Sequence, residues 1–190
     1  AGIHGVLAHA ENAPGIKSAV RAGIRSIEHG DGIDDEAIDL MLERDVPLVP
    51  TLLISYRMLE PELVEKGITP PWAVEKQQAL MADLERNLRH AIERGVRIAM
   101  GTDGSRGEHL PAELPLMVRH GLSPLAALGA ATIEAARLLD LDRDLGTIEV
   151  GKLADLAIVD GDPLADPGLW TDPGRVVAVV QAGKVVADRR

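Results

Sequence analysis

Short apolar runs alternate with longer amphipathic ones four times in succession along the first two-thirds of this chain, and that alternation restricts the fold more than any other feature. Residues 5–10 (GVLAHA), 24–29 (IRSIEH), 48–54 (LVPTLLI) and 96–100 (VRIAM) have the length and content of strands, with Pro50 marking an irregularity inside the third. Residues 14–22 read as a helix with Ile16, Ala19 and Val20 on one face and Gly23 as its stop. Asp34 is placed to cap a second helix, in which Ile38, Met41 and Leu42 recur at i, i+3, i+4. A third, longer helix carries Met81, Leu84, Leu88 and Ile92 as one stripe and closes at Gly95. Ser123-Pro124 opens an Ala/Leu-rich helical stretch that runs toward Leu139. Strand and helix in strict alternation predict parallel βα units, hence an α/β fold.

The pattern changes near Gly146. Residues 153–159 (LADLAIV) and 176–186 (VVAVVQAGKVV) are strand-rich, and Gly183-Lys184 suits a hairpin turn. The sequence therefore divides into an α/β segment over residues 1–145 and part of a small β domain over residues 146–190.

Composition removes whole classes of function. Thirty acidic against 20 basic residues leave a formal charge of −10, which repels phosphate backbones and anionic lipid, so neither nucleic acid nor a membrane surface is an expected partner. With two Trp, one Tyr and no Phe, the core has to be aliphatic. The absence of cysteine excludes disulfides, thiolate nucleophiles and cysteine-based metal sites, and it fits a cytoplasmic location. No apolar run approaches the ~18 residues of a membrane helix.

In a parallel βα array, side chains just beyond the carboxyl ends of the strands line the site. His9 closes the first strand, His29 closes the second, and Asp103 follows the fourth within Gly101-Thr102-Asp103-Gly104. Singly, a histidine ending a strand is commonly just a satisfied polar residue, and an aspartate after Gly-Thr a turn residue. Three imidazole or carboxylate donors at three strand ends make a set that zinc and similar ions accept.

The words around these residues strengthen the pattern. Ala8-His9-Ala10 running into Pro14-Gly15-Ile16, the stretch Ala22-Gly23-Ile24-Arg25-Ser26-Ile27-Glu28-His29-Gly30, Val49-Pro50-Thr51-Leu52, and Met100-Gly101-Thr102-Asp103 resemble the amidohydrolase superfamily, above all its prolidase-like and imidazolonepropionase-like branch. Ala131-Thr132, Ala135-Ala136-Arg137 and the run from Gly146 through Lys152-Leu153-Ala154-Asp155-Leu156 resemble the same family's passage from barrel to β-sandwich. The resemblance implies the C-terminal half of a (β/α)8 barrel, strands five to eight, followed by strands of a β-sandwich. It implies His9, His29 and Asp103 as ligands of one or two divalent transition-metal ions, zinc foremost, with Asp103 also the catalytic proton shuttle. The implied reaction is hydrolysis of a C–N bond in a small molecule: a dipeptide, an N-acyl amino acid or a cyclic amide.

The resemblance also implies what is missing. The family's first-strand His-x-His pair and its fourth-strand lysine or glutamate have no counterpart, because the chain starts at what matches strand five. His4 does not replace the pair: five residues before His9, it points to the other face of a strand. The expected partner is therefore the N-terminal half of the barrel. Four open parallel strands also leave two unprotected edges, from which self-association into a homo-oligomer is expected. The competing reading follows from those edges: a non-catalytic half-barrel that serves structure or binding by self-association.

Where relatives continue Ala-His-Gly, this chain has Ala10-Glu11-Asn12, and Asn12 reads as the cap of the next helix. His109, six residues after Asp103, and Arg106 in the same loop are candidates to border the substrate, as is Tyr56 beyond the third strand, beside Arg57. Thr51 and Thr102, at strand ends, read as satisfying backbone groups.

Overall fold

The structure, a computed structural model, describes residues 5–104 and 107–189. β1 (Leu7–Asn12), β2 (Ser26–Gly32) and β3 (Leu48–Val49) form a parallel sheet in the order β1-β2-β3, with His9 opposite Glu28 and Ile27 opposite Leu48. The crossovers are helices whose starts are fixed by the capping residues. The Asn12 side chain accepts from the Gly15 amide at 3.0 Å and opens α1 (Ala13–Arg21); Asp34 accepts from Ala37 at 2.9 Å and opens α2 (Asp35–Glu43). Their apolar faces and the strands close an aliphatic core in which Ile16, Val20, Ile27, Ile38, Met41 and Leu48 are all buried. Each such side chain contributes about 1.5–3 kcal/mol relative to exposure.

Two of the four expected strands are shorter than their sequence suggests. The third ends at Val49, because Pro50 has no N–H for the ladder and Thr51 takes a left-handed conformation, φ 48°. Leu52, Leu53 and Ile54, expected in that strand, instead begin α3 (Leu52–Arg57). The fourth is reduced to a single parallel bridge, Leu48 with Ile98, carried by Leu48 N–H to Arg97 O at 2.9 Å and Ala99 N–H to Leu48 O at 3.0 Å.

A short α4 (Pro61–Glu65) leads to α5 (Pro71–Arg94), whose Leu84 and Leu88 are buried and whose end is Gly95, left-handed at φ 91°. After a 3-10 turn at Gly107–Ala112 come α6 (Glu113–Arg119) and α7 (Pro124–Gly129), the latter capped by Ser123. α7 passes through a π-helical turn at Ala130–Glu134 into α8 (Ala135–Leu138).

The remaining strands, β4 (Leu156–Val159), β5 (Val176–Gln181) and β6 (Lys184–Asp188), form an antiparallel sheet in that order. The β5–β6 turn is Ala182-Gly183, both left-handed, one residue earlier than expected. Trp170 packs against the aliphatic core from a 3-10 turn between β4 and β5, whereas β6 is exposed along its whole length. Among the described residues no helix is long and apolar enough to cross a membrane.

Candidate active site at the strand ends

Alternation along β1 directs Ala8 and Ala10 toward the helices and leaves Leu7, His9 and Glu11 on the opposite face of the sheet. His9 is therefore exposed, its Nε2 3.6 Å from Glu11 Oε1; Glu11 in turn is paired with Lys76 of α5. His29 reaches the same place by another route. Its backbone is left-handed, φ 73°, which breaks the alternation of β2 and brings its ring edge-on to that of His9, with centroids 4.4 Å apart.

His29 is buried, and its Nδ1 lies 2.7 Å from the Thr51 hydroxyl, which also donates to Pro50 O at 2.8 Å. Burial, and after it the neighbouring His9, lowers the His29 pKa, while the charges of Asp103 and Glu11 oppose that shift. A neutral imidazole, the form that binds a metal, is the result at pH 7.

Asp103 is exposed and left-handed too, φ 50°. Its charge favours the protonated form of both His29 and Glu28, opposing the lowering of the first and adding to the rise of the second that burial causes. Left-handed non-glycine residues are uncommon, yet His29, Thr51 and Asp103 all adopt this conformation. Neither histidine closes its strand as expected, since β1 runs three residues past His9 to Asn12 and β2 three past His29 to Gly32, whereas Thr51 and Asp103 follow the third and fourth strand segments. Backbone strain of this kind persists where the surroundings over-determine it, and it gathers at functional sites.

Four further groups shape the site. Glu28, on the His9 face of β2, accepts from Ser26 Oγ at 2.5 Å, and burial raises its pKa. Asp31, two residues after His29, is buried with Oδ1 lacking a hydrogen-bond partner; burial and then Glu11 push it up to about 6. Glu113 of α6 is fully buried and accepts the Leu52 and Leu53 amides at 2.5 and 2.8 Å, so a distant carboxylate caps α3. Burial outweighs those two bonds and pushes Glu113 up to about 7. Gly101 lets the Asp103 strand lie close, since a Cβ there would stand 2.7 Å from Val49 Cγ1.

The sequence candidates are distributed unevenly about this centre. The structure brings His9 and His29 together, but among the described residues no group of three His, Cys, Asp or Glu is close enough to hold a metal ion, so the expected trio is not assembled as a unit. His109 lies beside the Asp103 loop, where a Cβ on Gly104 would be 3.8 Å from its Nδ1, and Arg57 Nη1 is 3.0 Å from that nitrogen. Tyr56 is engaged elsewhere: its hydroxyl is 2.9 Å from His120 Nε2, and Arg119 lies 5.3 Å over its ring. Arg106 and His4 lie outside the described residues. Asn12 caps α1, as its sequence position suggests. Glu28, Asp31 and Glu113 escaped sequence reasoning. The Ser26-x-Glu28 alternation is a usable signal for the first, but nothing local marks Glu113, whose partners lie 60 and 61 residues away.

The donor chemistry, imidazole nitrogen and carboxylate oxygen, suits zinc, and the contact of two imidazoles with one of them neutral and buried fits part of a coordination shell. A cleft of about 620 Å³ lined by Arg25, Asp45, Pro47 and Arg97 lies at the amino ends of the strands, away from these donors.

Comparison with known proteins places the chain in one family. The model of the amidohydrolase family matches residues 4–186. The chain is 34% identical over 185 residues to ochratoxinase from Aspergillus niger, covering 95% of this chain and 37% of that protein. It is 37% identical over 110 residues to imidazolonepropionase from Symbiobacterium thermophilum, covering 53% of this chain and 25% of the other. Its fold superposes on a prolidase solved with N-methylphosphonate-L-proline with a TM-score of 0.87, 36% identity, and coverage of 97% of this chain and 45% of that one. The chain thus spans less than half the length of each of these relatives.

Proposed function

Because this chain belongs to the amidohydrolase family, we propose that it supplies half of a metal-dependent active site that hydrolyses a C–N bond in a small amide: a dipeptide, an N-acyl amino acid or a cyclic amide. In this reading residues 1–145 are strands five to eight of a (β/α)8 barrel with their helices, residues 146–190 belong to a β-sandwich, and the N-terminal half of the barrel completes the site. The observation that carries it is the edge-on contact of His9 and His29 between the adjoining strands β1 and β2, with the charge of Asp103 bearing on His29.

His9, His29 and Asp103 would hold the divalent ion, zinc first among the candidates, alongside ligands from the other half. When bound, such an ion would lower the pKa of water toward about 7 and polarise the substrate carbonyl. Asp103 accepts the proton that the attacking water loses and delivers it to the departing amine nitrogen, so the leaving group departs neutral. Asp103 would do so from an exposed position on left-handed backbone. His109, beside the Asp103 loop, borders the substrate and is itself oriented by Arg57; Arg106 is the further substrate candidate, whereas Tyr56 is taken up by His120. Relatives resembling prolidase, ochratoxinase and imidazolonepropionase support amide hydrolysis as the reaction class.

The test begins with the intact mass of the native gene product under non-denaturing conditions with metal retained. A polypeptide about twice this size carrying one or two ions is expected. In that protein Asp103→Asn should lower turnover of a dipeptide and N-acyl amino acid panel by about 10²–10⁴-fold. Unchanged turnover overturns the assignment, and a metal-free native chain of this length favours the self-associating, non-catalytic reading instead.

A further inference from the structure

Thr51 is a β-branched residue held at φ 48° and buried at 2% exposure, a combination that needs a reason. Its hydroxyl carries one proton and has two neighbours, Pro50 O at 2.8 Å and His29 Nδ1 at 2.7 Å. A carbonyl oxygen only accepts, so the hydroxyl proton goes to Pro50, and the oxygen lone pair then faces His29. Nδ1 must be the donor in that contact. A neutral imidazole that donates from Nδ1 keeps its lone pair on Nε2. The turn that presents Thr51 is held in its turn by Glu113, which takes the amides of the next two residues, Leu52 and Leu53.

We infer that Thr51 is a positioning residue, anchored by the Glu113 carboxylate, that fixes His29 in the Nδ1–H tautomer and so reserves Nε2 as the metal donor. The inference rests on the proposed role of His29 as a ligand and adds how that ligand is prepared before any ion arrives. It also accounts for the left-handed backbone: in extended backbone the side chain of residue 51 would leave on a different vector, and the hydroxyl would not stand between Pro50 O and His29.

The experiment uses the polypeptide carrying the complete barrel, stripped of metal and titrated with Zn²⁺ against a chromophoric chelator. Wild type is compared with Thr51→Ser, Thr51→Val, Thr51→Gly and His29→Ala. Thr51→Val and Thr51→Gly should weaken zinc binding by about 10- to 100-fold, while Thr51→Ser, which keeps the hydroxyl, stays within a few-fold of wild type. Glycine relieves the backbone strain at this φ, so a purely structural threonine predicts no loss of zinc affinity in Thr51→Gly. Nitrogen-15 spectra of the stripped protein give the second readout: His29 should show a protonated Nδ1 in wild type and Thr51→Ser, and a mixture of tautomers in Thr51→Gly. Should valine prevent folding, the serine and glycine variants decide alone. Full zinc affinity in Thr51→Gly together with loss in His29→Ala overturns the role of Thr51 and leaves the hydrolase reading standing. Full affinity in His29→Ala overturns both.

Discussion

The neighbouring strands β1 and β2 place the same kind of ring 4.4 Å apart by opposite means. Within β1, His9 stands in extended strand, exposed, with its Nε2 3.6 Å from Glu11. Within β2, His29 sits on left-handed backbone, buried, with its Nδ1 tied to Thr51 and that turn tied to Glu113. One donor is set by this segment alone. The other is left for groups on the open face to set. The difference teaches that the two imidazoles are not equivalent: His29 belongs to the core and His9 to the exposed face of the sheet.

Removing the support on the His29 side should have the largest effect on stability. Glu113 rises from an ordinary glutamate value near 4.5 to about 7 in the fold. Between those values the folded chain keeps a proton that the unfolded chain has released, so stability falls as pH rises through the window and is highest below it. The shift corresponds to about 3 kcal/mol across pH 4.5 to 7. Urea denaturation of metal-stripped wild type against Glu113→Gln should show that pH slope in the former and not in the latter; equal slopes would detach Glu113 from the His29 side.

The comparison itself is sharpened by truncating each ring. His29→Ala removes a buried, hydrogen-bonded side chain and should cost about 1–3 kcal/mol in metal-free protein, whereas His9→Ala should stay within about 0.5 kcal/mol. Equal costs in the same urea titrations would break the distinction. The smallest effect is expected at Glu11, whose partner Lys76 is half open to solvent. Glu11→Gln should change unfolding free energy by no more than about 0.3 kcal/mol, shrinking further in high salt, as thermal unfolding at two salt concentrations would read.

The same contrast marks how far the sequence reaches. Periodicity located α1, α2 and α5 because their apolar stripes are local, and the caps at Asn12, Asp34, Ser123 and Gly95 lie where one side chain or one positive φ is enough. It overran β3 because Leu52, Leu53 and Ile54 are as apolar as a strand requires, while the capping carboxylate that turns them into α3 comes from Glu113. His9, His29 and Asp103 are legible in the sequence as donor types, but not the three residues by which β1 and β2 run past the two histidines. The strained backbone at two of them and the buried carboxylates of Glu28 and Asp31 are not legible either, since desolvation and torsion arise only once distant segments pack.

Pairing in the parallel sheet thins along the chain. It extends from Leu7 and Ser26 to Asn12 and Gly32 between β1 and β2, shrinks to Ile27 with Leu48 and Glu28 with Val49 between β2 and β3, and ends in the bridge of Leu48 to Ile98. Amide exchange with solvent should follow that gradient, slow at Ile27 and faster at Ala99, whose N–H depends on Leu48 O. The segment that carries Asp103 is thus hung from its neighbour in the sheet by two hydrogen bonds, so it can part from the sheet without unfolding β1 and β2, and Asp103 rides on the rung that opens first.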